Sequence, residues 1–355
     1  MEVTTVFSLL GGLGLFLFGI KTMGDGLEQA AGSEMKRLLE ALTRNKLTAV
    51  LVGLLVTAVI QSSSATTVMV VGFVNAGLLS LSKAIGVIMG ANIGTTVTSL
   101  MLSVKLNFGV LFTAVGAVCQ LAGNRSSFKL FGQIMMGLGI LFVGMDAMTA
   151  AMEPLQEWQG FRDMMEWARN PFVGVLVGAG VTALLQSSSA SVGILQALAA
   201  TGSISLQASL FILFGQNIGT CVTALLASVG ANRTAKRAAV VHLLFNIIGA
   251  ALFIIIALAL PLASWIEMLA GANLRLQIAF AHIIFNVVTT LLLLPLSGWN
   301  TSTRACFPRR RWPCSSCFAR CSAWRISSPP TTALPCSITL RPRICPWTSL
   351  TTTSR

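Results

Sequence analysis

Long apolar stretches, separated by short charged islands, occupy the chain from about residue 6 to residue 296. Several of these stretches are close to the roughly 20 residues that an α-helix needs to cross a bilayer. Charged, amphipathic loops are expected at about 21–46 and 146–170. The pattern predicts helical spans or stretches at about 6–20, 47–80, 84–102, 108–122, 130–145, 171–205, 209–227, 238–260 and 277–296. We therefore expect an all-α integral membrane protein whose principal partner is the lipid bilayer.

The composition supports a membrane protein and removes one competing class. Hydrophobic residues make up 54% of the chain and charged residues 10%, whereas soluble proteins carry roughly 25% charged residues. A net charge of +13 can indicate a nucleic-acid partner, but this charge is distributed unevenly along the chain. Up to Asn300, 15 Lys and Arg stand against 11 Asp and Glu, and the remaining nine charges are arginines beyond residue 300. The membrane region is thus only weakly basic, and no nucleic-acid partner is expected.

The last part of the chain has a different composition. Residues 301–355 hold six of the eight cysteines and seven of the eleven prolines, and they show neither a helical nor a strand period. We expect residues 299–355 to be an unpatterned tail, either disordered or produced by a shift of the reading frame. A metal site at Cys306, Cys314, Cys317 and Cys321 is the weaker interpretation, because neither His nor an acidic residue accompanies them.

A duplicated motif organises the apolar region. The sequence QSSSA occurs at 61–65 and again at 186–190, an offset of 125 residues. At the same offset, the segment 90–98 is identical to the segment 215–223 at seven of nine positions. We therefore predict membrane repeat 1 at residues 1–123, membrane repeat 2 at residues 124–260 and a last transmembrane helix at residues 261–298.

The length of the stretch around each motif limits its path through the membrane. Residues 47–80 would extend about 51 Å as one helix, well beyond a hydrocarbon core of about 30 Å. The stretch must therefore break or fold back, and QSSS lies near its middle. We favour a re-entrant helical hairpin with the serines at its tip over two ordinary spans joined at that point.

The two repeats are expected to be inverted. Each unit crosses the membrane an odd number of times, so the second copy enters from the opposite side. The loop at 21–46 carries five Lys and Arg, whereas the loop at 146–170 carries two beside five acidic residues. Because positive loops remain in the cytoplasm, this asymmetry predicts an external N-terminus and a cytoplasmic C-terminus.

Polar side chains inside hydrocarbon are costly unless partners satisfy them, so a duplicated polar cluster indicates a binding site. Hydroxyl and amide groups can donate to an anion and also offer oxygen to a cation. Neither motif contains Lys or Arg, so the charge of a bound anion requires a co-bound cation, which indicates coupling to sodium. A helix that begins after each QSSS would also direct free N–H groups at the anion. The candidate residues are Gln61, Ser62, Ser63, Ser64, Asn92, Thr95, Gln186, Ser187, Ser188, Ser189, Asn217 and Thr220.

Other polar and small residues have simpler interpretations. Gly86 and Gly90 lie four residues apart and suit close helix packing. The pattern His-x-x-x-Asn occurs twice, 40 residues apart, as His242 with Asn246 and as His282 with Asn286. In each pair the two side chains lie on one helical face. Hydrogen bonding between helices is favoured for these pairs over direct contact with the pathway, and metal binding is the weakest alternative because no third ligand lies near.

The two QSSS motifs, each followed by a Gly-x-Asn-Ile-Gly-Thr segment, resemble those of the sodium/phosphate cotransporter family, the type II group with its bacterial relatives. The resemblance covers about residues 6–296. It implies inorganic phosphate as substrate, sodium as coupling ion, re-entrant hairpins that carry QSSS, and alternating access in a bacterial inner membrane. It also implies that Gln61 to Ser64 and Gln186 to Ser189 line the phosphate and sodium sites, with Asn92, Thr95, Asn217 and Thr220 nearby.

Two further functions stay open from the sequence. One is symport of another small anion, and the other is a non-transporting truncated remnant with a phosphate-signalling role. An enzyme is not expected, because the membrane segments contain neither an acid/base pair nor a Ser, His and Asp set placed for catalysis. No cofactor or metal beyond the sodium ion is expected, and the residues leave the oligomeric state open.

Overall fold

The computed structural model describes residues 3–31, 45–104, 108–123 and 125–296. These residues form helices and turns, and no strand occurs among them. A short 3-10 helix, Glu153–Glu157, follows the sixth α-helix. The predicted tail and most of the first charged loop lie outside the described residues. The α-helices are α1 (Val3–Ala31), α2 (Lys46–Ile60), α3 (Ser63–Asn75), α4 (Leu81–Ser103), α5 (Gly109–Ala122), α6 (Ser126–Met152), α7 (Gln159–Trp167), α8 (Pro171–Leu185), α9 (Ser188–Ala200), α10 (Leu206–Gly219), α11 (Cys221–Ala227), α12 (Arg233–Ala259), α13 (Leu262–Ala270) and α14 (Leu274–Leu296).

The prediction of an all-α membrane protein is confirmed. Within the described ranges, six helical segments are long and apolar enough to span a bilayer: α1, α4, α6, α10 together with α11, α12 and α14. Helices α7 and α8 meet at an angle of 105° and are a further broken span or a re-entrant segment. The stretches that carry QSSS are divided into shorter helices, α2 with α3 and α8 with α9.

Two helices extend further than the sequence pattern indicates. Helix α1 continues to Ala31, and α6 continues to Met152, so the predicted loops at 21–46 and 146–170 both begin too early. The charged residues at these positions do not end the helices, because they lie on exposed faces. Lys21 and Asp25, one turn apart on α1, are both exposed, and Asp146 on α6 is exposed as well.

Helices α1 and α6 are corresponding elements of the two repeats, and they pack tightly against each other. Their glycines leave no room for a side chain, since a methyl group added at any of four positions would lie 2.3–2.8 Å from backbone of the other helix. The facing pairs are Gly12 with Met148, Gly144 with Phe16, Gly19 with Leu141, and Gly137 with Met23. As the residue number rises in α1, it falls in α6, so the two helices run antiparallel.

The helices around each motif also repeat their contacts. Gly53 faces Val87 and Gly90 faces Val50 at the α2–α4 contact. The same contacts recur 125 residues later between α8 and α10 as Gly178 with Ile212 and Gly215 with Val175. Along the full length of each contact the residue numbers rise together, from Gly86 beside Lys46 to Gly94 beside Leu54, and from Gly174 beside Phe211 to Gly219 beside Ala179, so the helices are parallel. Because α4 begins beside the start of α2, where Gly86 faces the Lys46 carbonyl, helix α3 brings the chain back between them.

Among the described residues, the largest apolar core packs against α9, which follows the second motif, and joins it to α10, α12, α13 and α14. Its centre is a cluster of rings in which Phe214, Phe253 and Phe285 have centroids 5.1–5.7 Å apart. Gly249 of α12 lies directly against Thr289 of α14 and allows these helices to approach closely. This core holds the second half of the polar region described next.

Candidate functional site

Each QSSS motif breaks one helix and starts another. Gln61 and Gln186 end α2 and α8 in the left-handed conformation, with φ of 58° and 53°. They are the only residues other than glycine with positive φ in the described part of the chain. Ser62 and Ser187 then cap the following helices, and each side-chain oxygen accepts a hydrogen bond from the N–H three residues later, at 3.2 and 3.3 Å. Such paired backbone outliers in an apolar region are typical of functional sites.

The two motifs meet at their serines. The Oγ atoms of Ser63 and Ser188 are 3.3 Å apart, and both residues are buried, with 4% and 7% of their surface exposed. Beside them, the Ser64 hydroxyl donates to the backbone carbonyl oxygen of Gln186 at 3.3 Å. The structure thus brings together side chains that are 125 residues apart in the sequence.

At each QSSS motif, a hydrogen bond between two hydroxyl side chains connects the helices on either side of the break. The Thr57 hydroxyl donates to Thr66 Oγ1 at 3.1 Å, and the Thr182 hydroxyl donates to Ser191 Oγ at 2.8 Å. Both bonds join the helix before the motif to the helix after it. These four residues are not among the predicted site residues, although their shared offset of 125 residues is a usable signal in the sequence.

The two glutamines have different surroundings. Gln61 is buried, and its side-chain oxygen accepts a hydrogen bond from the Thr98 hydroxyl at 2.8 Å while its amide donates to the Ala58 carbonyl oxygen. Gln186 is exposed. Thr98 ends the repeated Asn-Ile-Gly-Thr segment and was also missed as a partner of the motif. The site is therefore built from repeated parts but is not symmetric in this conformation.

The asparagine that occurs in both repeats, as Asn92 and as Asn217, accepts hydrogen bonds from the two helices that carry His242 and His282, α12 and α14. The His242 Nε2 group donates to the side-chain oxygen of Asn92 at 3.2 Å, and the Asn92 amide donates to Asn246 Oδ1 at 3.3 Å. The hydrogen bonding between helices that was expected for this pair is thus present. Asn217 is held in the corresponding way by α14.

At Asn217, the side-chain oxygen accepts hydrogen bonds from His282 Nε2 and from the Asn286 amide, both at 3.4 Å. The Asn217 amide itself donates to a carbonyl oxygen of its own helix at 2.9 Å. The two His-x-x-x-Asn patterns, 40 residues apart, therefore bond α12 to Asn92 in the first repeat and α14 to Asn217 in the second. Because all of these residues are buried, the two bonds to each asparagine fix the position of α4 and α10 against α12 and α14.

The two threonines predicted for the site bond within their own helices. The Thr95 hydroxyl donates to the carbonyl oxygen of Ala91 at 3.0 Å, and the Thr220 hydroxyl donates to that of Gln216 at 2.9 Å. Hydrogen bonds in the described part of the chain thus link the serines with Gln186, while Asn92 and Asn217 bond to other helices. A role in binding for any of the twelve candidate residues stays a prediction.

The electrostatics of the serine cluster come from backbone dipoles and hydroxyls. Helices α3 and α9 both begin at this cluster, and the first-turn N–H groups of a helix lack partners within the helix. Each helix start carries the equivalent of about half a positive charge. Among the described residues, no group of three or more His, Cys, Asp or Glu is placed to hold a metal ion. The arrangement can donate to an oxyanion, and its hydroxyl and carbonyl oxygens suit an alkali cation.

One family model covers this region twice. The model described as Na+/Pi-cotransporter matches residues 15–150 and again residues 152–283. The chain belongs to the Na+/Pi-cotransporter family. The two matches correspond to the two copies of the QSSS unit. Members of this family are transporters rather than enzymes, and sodium serves them as a coupling ion.

Several relatives share the membrane region. YqeW of Bacillus subtilis is 33% identical over 284 residues, which cover 80% of this chain and 92% of YqeW. A protein of Salmonella typhimurium named "Putative inorganic phosphate export protein YjbB" is 28% identical over 82% of this chain, and the chain spans about half of its length, 54%. Sodium-dependent phosphate transport protein 2C of the mouse is 35% identical over 37% of this chain and 22% of its own length. No solved structure was found to match the chain.

Proposed function

We propose that the protein is a sodium-coupled symporter of inorganic phosphate that works by alternating access. The observation that carries this proposal is the contact between Ser63 and Ser188 at the starts of α3 and α9. Two helix N-termini and several hydroxyls meet there inside an apolar protein. This set of donors suits a small oxyanion that has lost its water.

The repeats in this proposal are inverted, with units at residues 1–123 and 124–260. The antiparallel packing of α1 against α6 supports it, because these corresponding helices face each other in opposite directions. The pairs α2–α3 and α8–α9 act as re-entrant hairpins. Each arm has 13 to 15 residues and is about 20–23 Å long, so no arm alone crosses a core of about 30 Å.

Symmetry between the halves gives alternating access a physical basis. Inverted repeats allow one half to adopt the conformation of the other, so that the central site opens to each side in turn. The pairing of α12 with Asn92 and of α14 with Asn217 supports the same relation. In this arrangement α14, in the predicted last segment 261–298, makes the contacts with Asn217 that α12 makes with Asn92.

Sodium coupling follows from the charge of the substrate. Phosphate carries one to two negative charges near neutral pH, whereas two helix starts contribute about one positive charge in total. Neither motif contains Lys or Arg. Co-bound sodium ions would balance the difference, with ligands among Gln61 to Ser64, Gln186 to Ser189, Asn92, Thr95, Asn217 and Thr220.

We place the protein in a bacterial inner membrane, with the N-terminus outside and the C-terminus in the cytoplasm. The distribution of Lys and Arg supports this orientation. Arg233, Lys236 and Arg237 at the start of α12 would then face the cytoplasm. The break between α8 and α9 would be approached from the outside, and the break between α2 and α3 from the inside.

Transport in the opposite direction is a second candidate, because the Salmonella relative is named as a phosphate export protein. The same site serves import and export, since the direction of net flux follows the gradients. Symport of another small oxyanion differs only in substrate. A truncated, non-transporting remnant with a phosphate-signalling role would bind phosphate without sodium-driven flux.

The test is uptake of radioactive phosphate by proteoliposomes that contain the full chain, with and without an inward sodium gradient. We expect uptake to require the gradient and to fall at least about tenfold in Ser63→Ala and Ser188→Ala, since each loses a hydrogen-bond donor in a buried site. Ser205→Ala is the matched control. Ser205 caps α10 away from the motifs, through a bond to the Ala208 N–H at 3.3 Å.

Each alternative has a distinct outcome in this assay. Equal uptake with and without sodium would refute the coupling. Competition by unlabelled sulfate as strong as that by unlabelled phosphate would reassign the substrate. If the Ser63 and Ser188 variants lose folded protein while Ser205→Ala does not, the serines serve packing rather than binding.

A further inference from the structure

A charged cavity lies at the other end of α9 from the serine cluster. It has a volume of about 630 Å³ and lies between α6, the end of α9 and the start of α14. Its polar lining includes Asp146, Thr149, Glu153, Thr201 and Arg275. From Ser188 to the cavity, α9 extends about 18 Å, so the cavity is separate from the site already described.

Arg275 is the unusual residue of this cavity. Only 7% of its surface is exposed. Its Nη2 group donates to Thr149 Oγ1 at 3.2 Å, but its Nη1 group has no hydrogen-bond partner among the described residues. A buried charged donor without a partner is costly and requires an explanation, such as a ligand that is bound in another state.

The backbone of Arg275 is held firmly in place. Its N–H donates to the side-chain oxygen of Asn273 at 3.1 Å, and its carbonyl oxygen accepts a hydrogen bond from the Gln196 amide at 3.3 Å. Gln196 lies on α9 and is fully buried, and the same amide also donates to the Ser99 carbonyl oxygen at 3.0 Å. The backbone of Arg275 is thus held by α9, which Gln196 also bonds to α4, and its guanidinium group is held by Thr149 of α6.

The opposite side of the protein lacks this arrangement. The residue 125 positions before Thr149 is Gly24, and the residue 40 positions before Arg275 on the corresponding helix is Ala235. Ala235 is fully buried. Arg275 therefore has no counterpart at the corresponding position of α12 and is not a product of the duplication.

We propose that this cavity is a second oxyanion site, in which Arg275 binds inorganic phosphate on its way to or from the serine cluster. This inference rests on the proposed function for its place in transport. The guanidinium group presents N–H donors in a planar fork that matches the oxygens of phosphate. The Nη1 atom has no hydrogen-bond partner among the described residues and is itself buried, so its bond to phosphate forms once the guanidinium turns toward the cavity, while the bond to Thr149 orients the group.

Asp146 makes binding at this site weak and exchangeable. It lines the same cavity and interacts electrostatically with Arg275, and its carboxylate competes with a bound anion for the guanidinium. A site through which the substrate enters or leaves must bind it weakly enough to release it, so a competing carboxylate suits this role. Removing the charge of Asp146 should therefore strengthen phosphate binding rather than weaken it.

The experiment measures ³¹P line broadening of inorganic phosphate by the purified full chain in detergent, in sodium-free buffer. The wild-type protein and Ser188→Ala should broaden the line equally. Arg275→Gln should bind about tenfold less tightly, the loss that one charge-assisted hydrogen bond carries. Asp146→Asn should bind roughly two- to fivefold more tightly. Arg162→Gln is the control for lost positive charge, because Arg162 is exposed and, in the described structure, its side chain bonds only to Glu157 and Gln159, next to the start of its own helix, α7.

Four results would overturn the proposal: no broadening by the wild-type protein, unchanged broadening by Arg275→Gln, unchanged broadening by Asp146→Asn, or a loss in Ser188→Ala as large as in Arg275→Gln. Size-exclusion chromatography reports whether each variant is folded. If Arg275→Gln does not fold, Arg275→Lys, which keeps the charge but loses the fork, should show weaker binding and takes its place. Sodium-driven uptake by the wild type is measured in parallel, so that failure of this second site and failure of the proposed symport give different results.

Discussion

Replacement of Gly178 by alanine should separate the two helices that support the second motif. A methyl group at this position of α8 would lie 2.0 Å from the Ile212 carbonyl oxygen of α10. Ordinary contact begins at about 3.4 Å, so the helices would have to move apart by more than about 1 Å. Such overpacking costs about 1–3 kcal/mol, or more where backbone has to shift.

Gly180, two residues later in the same helix, is the matched control. It is exposed, and a methyl group added there would meet nothing within 4 Å. Because alanine is a better helix former than glycine by about 1 kcal/mol, Gly180→Ala should be neutral or slightly stabilising. Since both variants gain this helix propensity, they should differ in their free energy of unfolding by the overpacking cost alone, about 1–3 kcal/mol.

The assay is unfolding of the purified protein by SDS at constant detergent, followed by tryptophan fluorescence and by size-exclusion chromatography of the folded fraction. Gly178→Ala should unfold at a clearly lower SDS fraction than the wild type. Phosphate uptake should also fall, because α8 and α10 position Gln186 and the serines after it. Equal stability of the two variants would refute the close contact between α8 and α10.

Two further predictions concern contacts between the halves. A chain with Ser63→Cys and Ser188→Cys, made in a background without the native cysteines, should form an intramolecular disulfide on oxidation, because the two Oγ atoms are 3.3 Å apart; free thiols that still react fully with maleimide after oxidation would disprove the meeting of the motifs. Asn75→Ala should lower the free energy of unfolding by about 0.5–1.5 kcal/mol, since its side-chain oxygen accepts the Asn232 N–H at 2.7 Å near the start of α12; an unchanged SDS midpoint would count against that contact.

Much of the architecture was accessible from the sequence because it depends on local patterns. Apolar length predicts membrane helices, and the duplicated motif predicts both the repeat and the position of each helix break. The break itself is local as well: Gln61 and Gln186 precede serines that act as helix caps. The ends of α1 and α6 were less predictable, because charged residues such as Lys21 and Asp146 lie on an exposed face and the helices continue past them.

The partners of the polar side chains depended on contacts between distant segments. The pattern His-x-x-x-Asn indicates bonding between helices, but it does not show that α12 holds Asn92 while α14 holds Asn217. Nor does the sequence distinguish Arg275 from any other charge at a helix start, because its burial results from α6 and α9 packing around it. Hydrophobic periodicity describes one helix at a time, so the sequence alone determined the membrane class, the duplication and the motif residues. Only the tertiary structure decided which hydroxyls meet, which helices hold Asn92 and Asn217, and where a guanidinium group is enclosed whose Nη1 has no partner among the described residues.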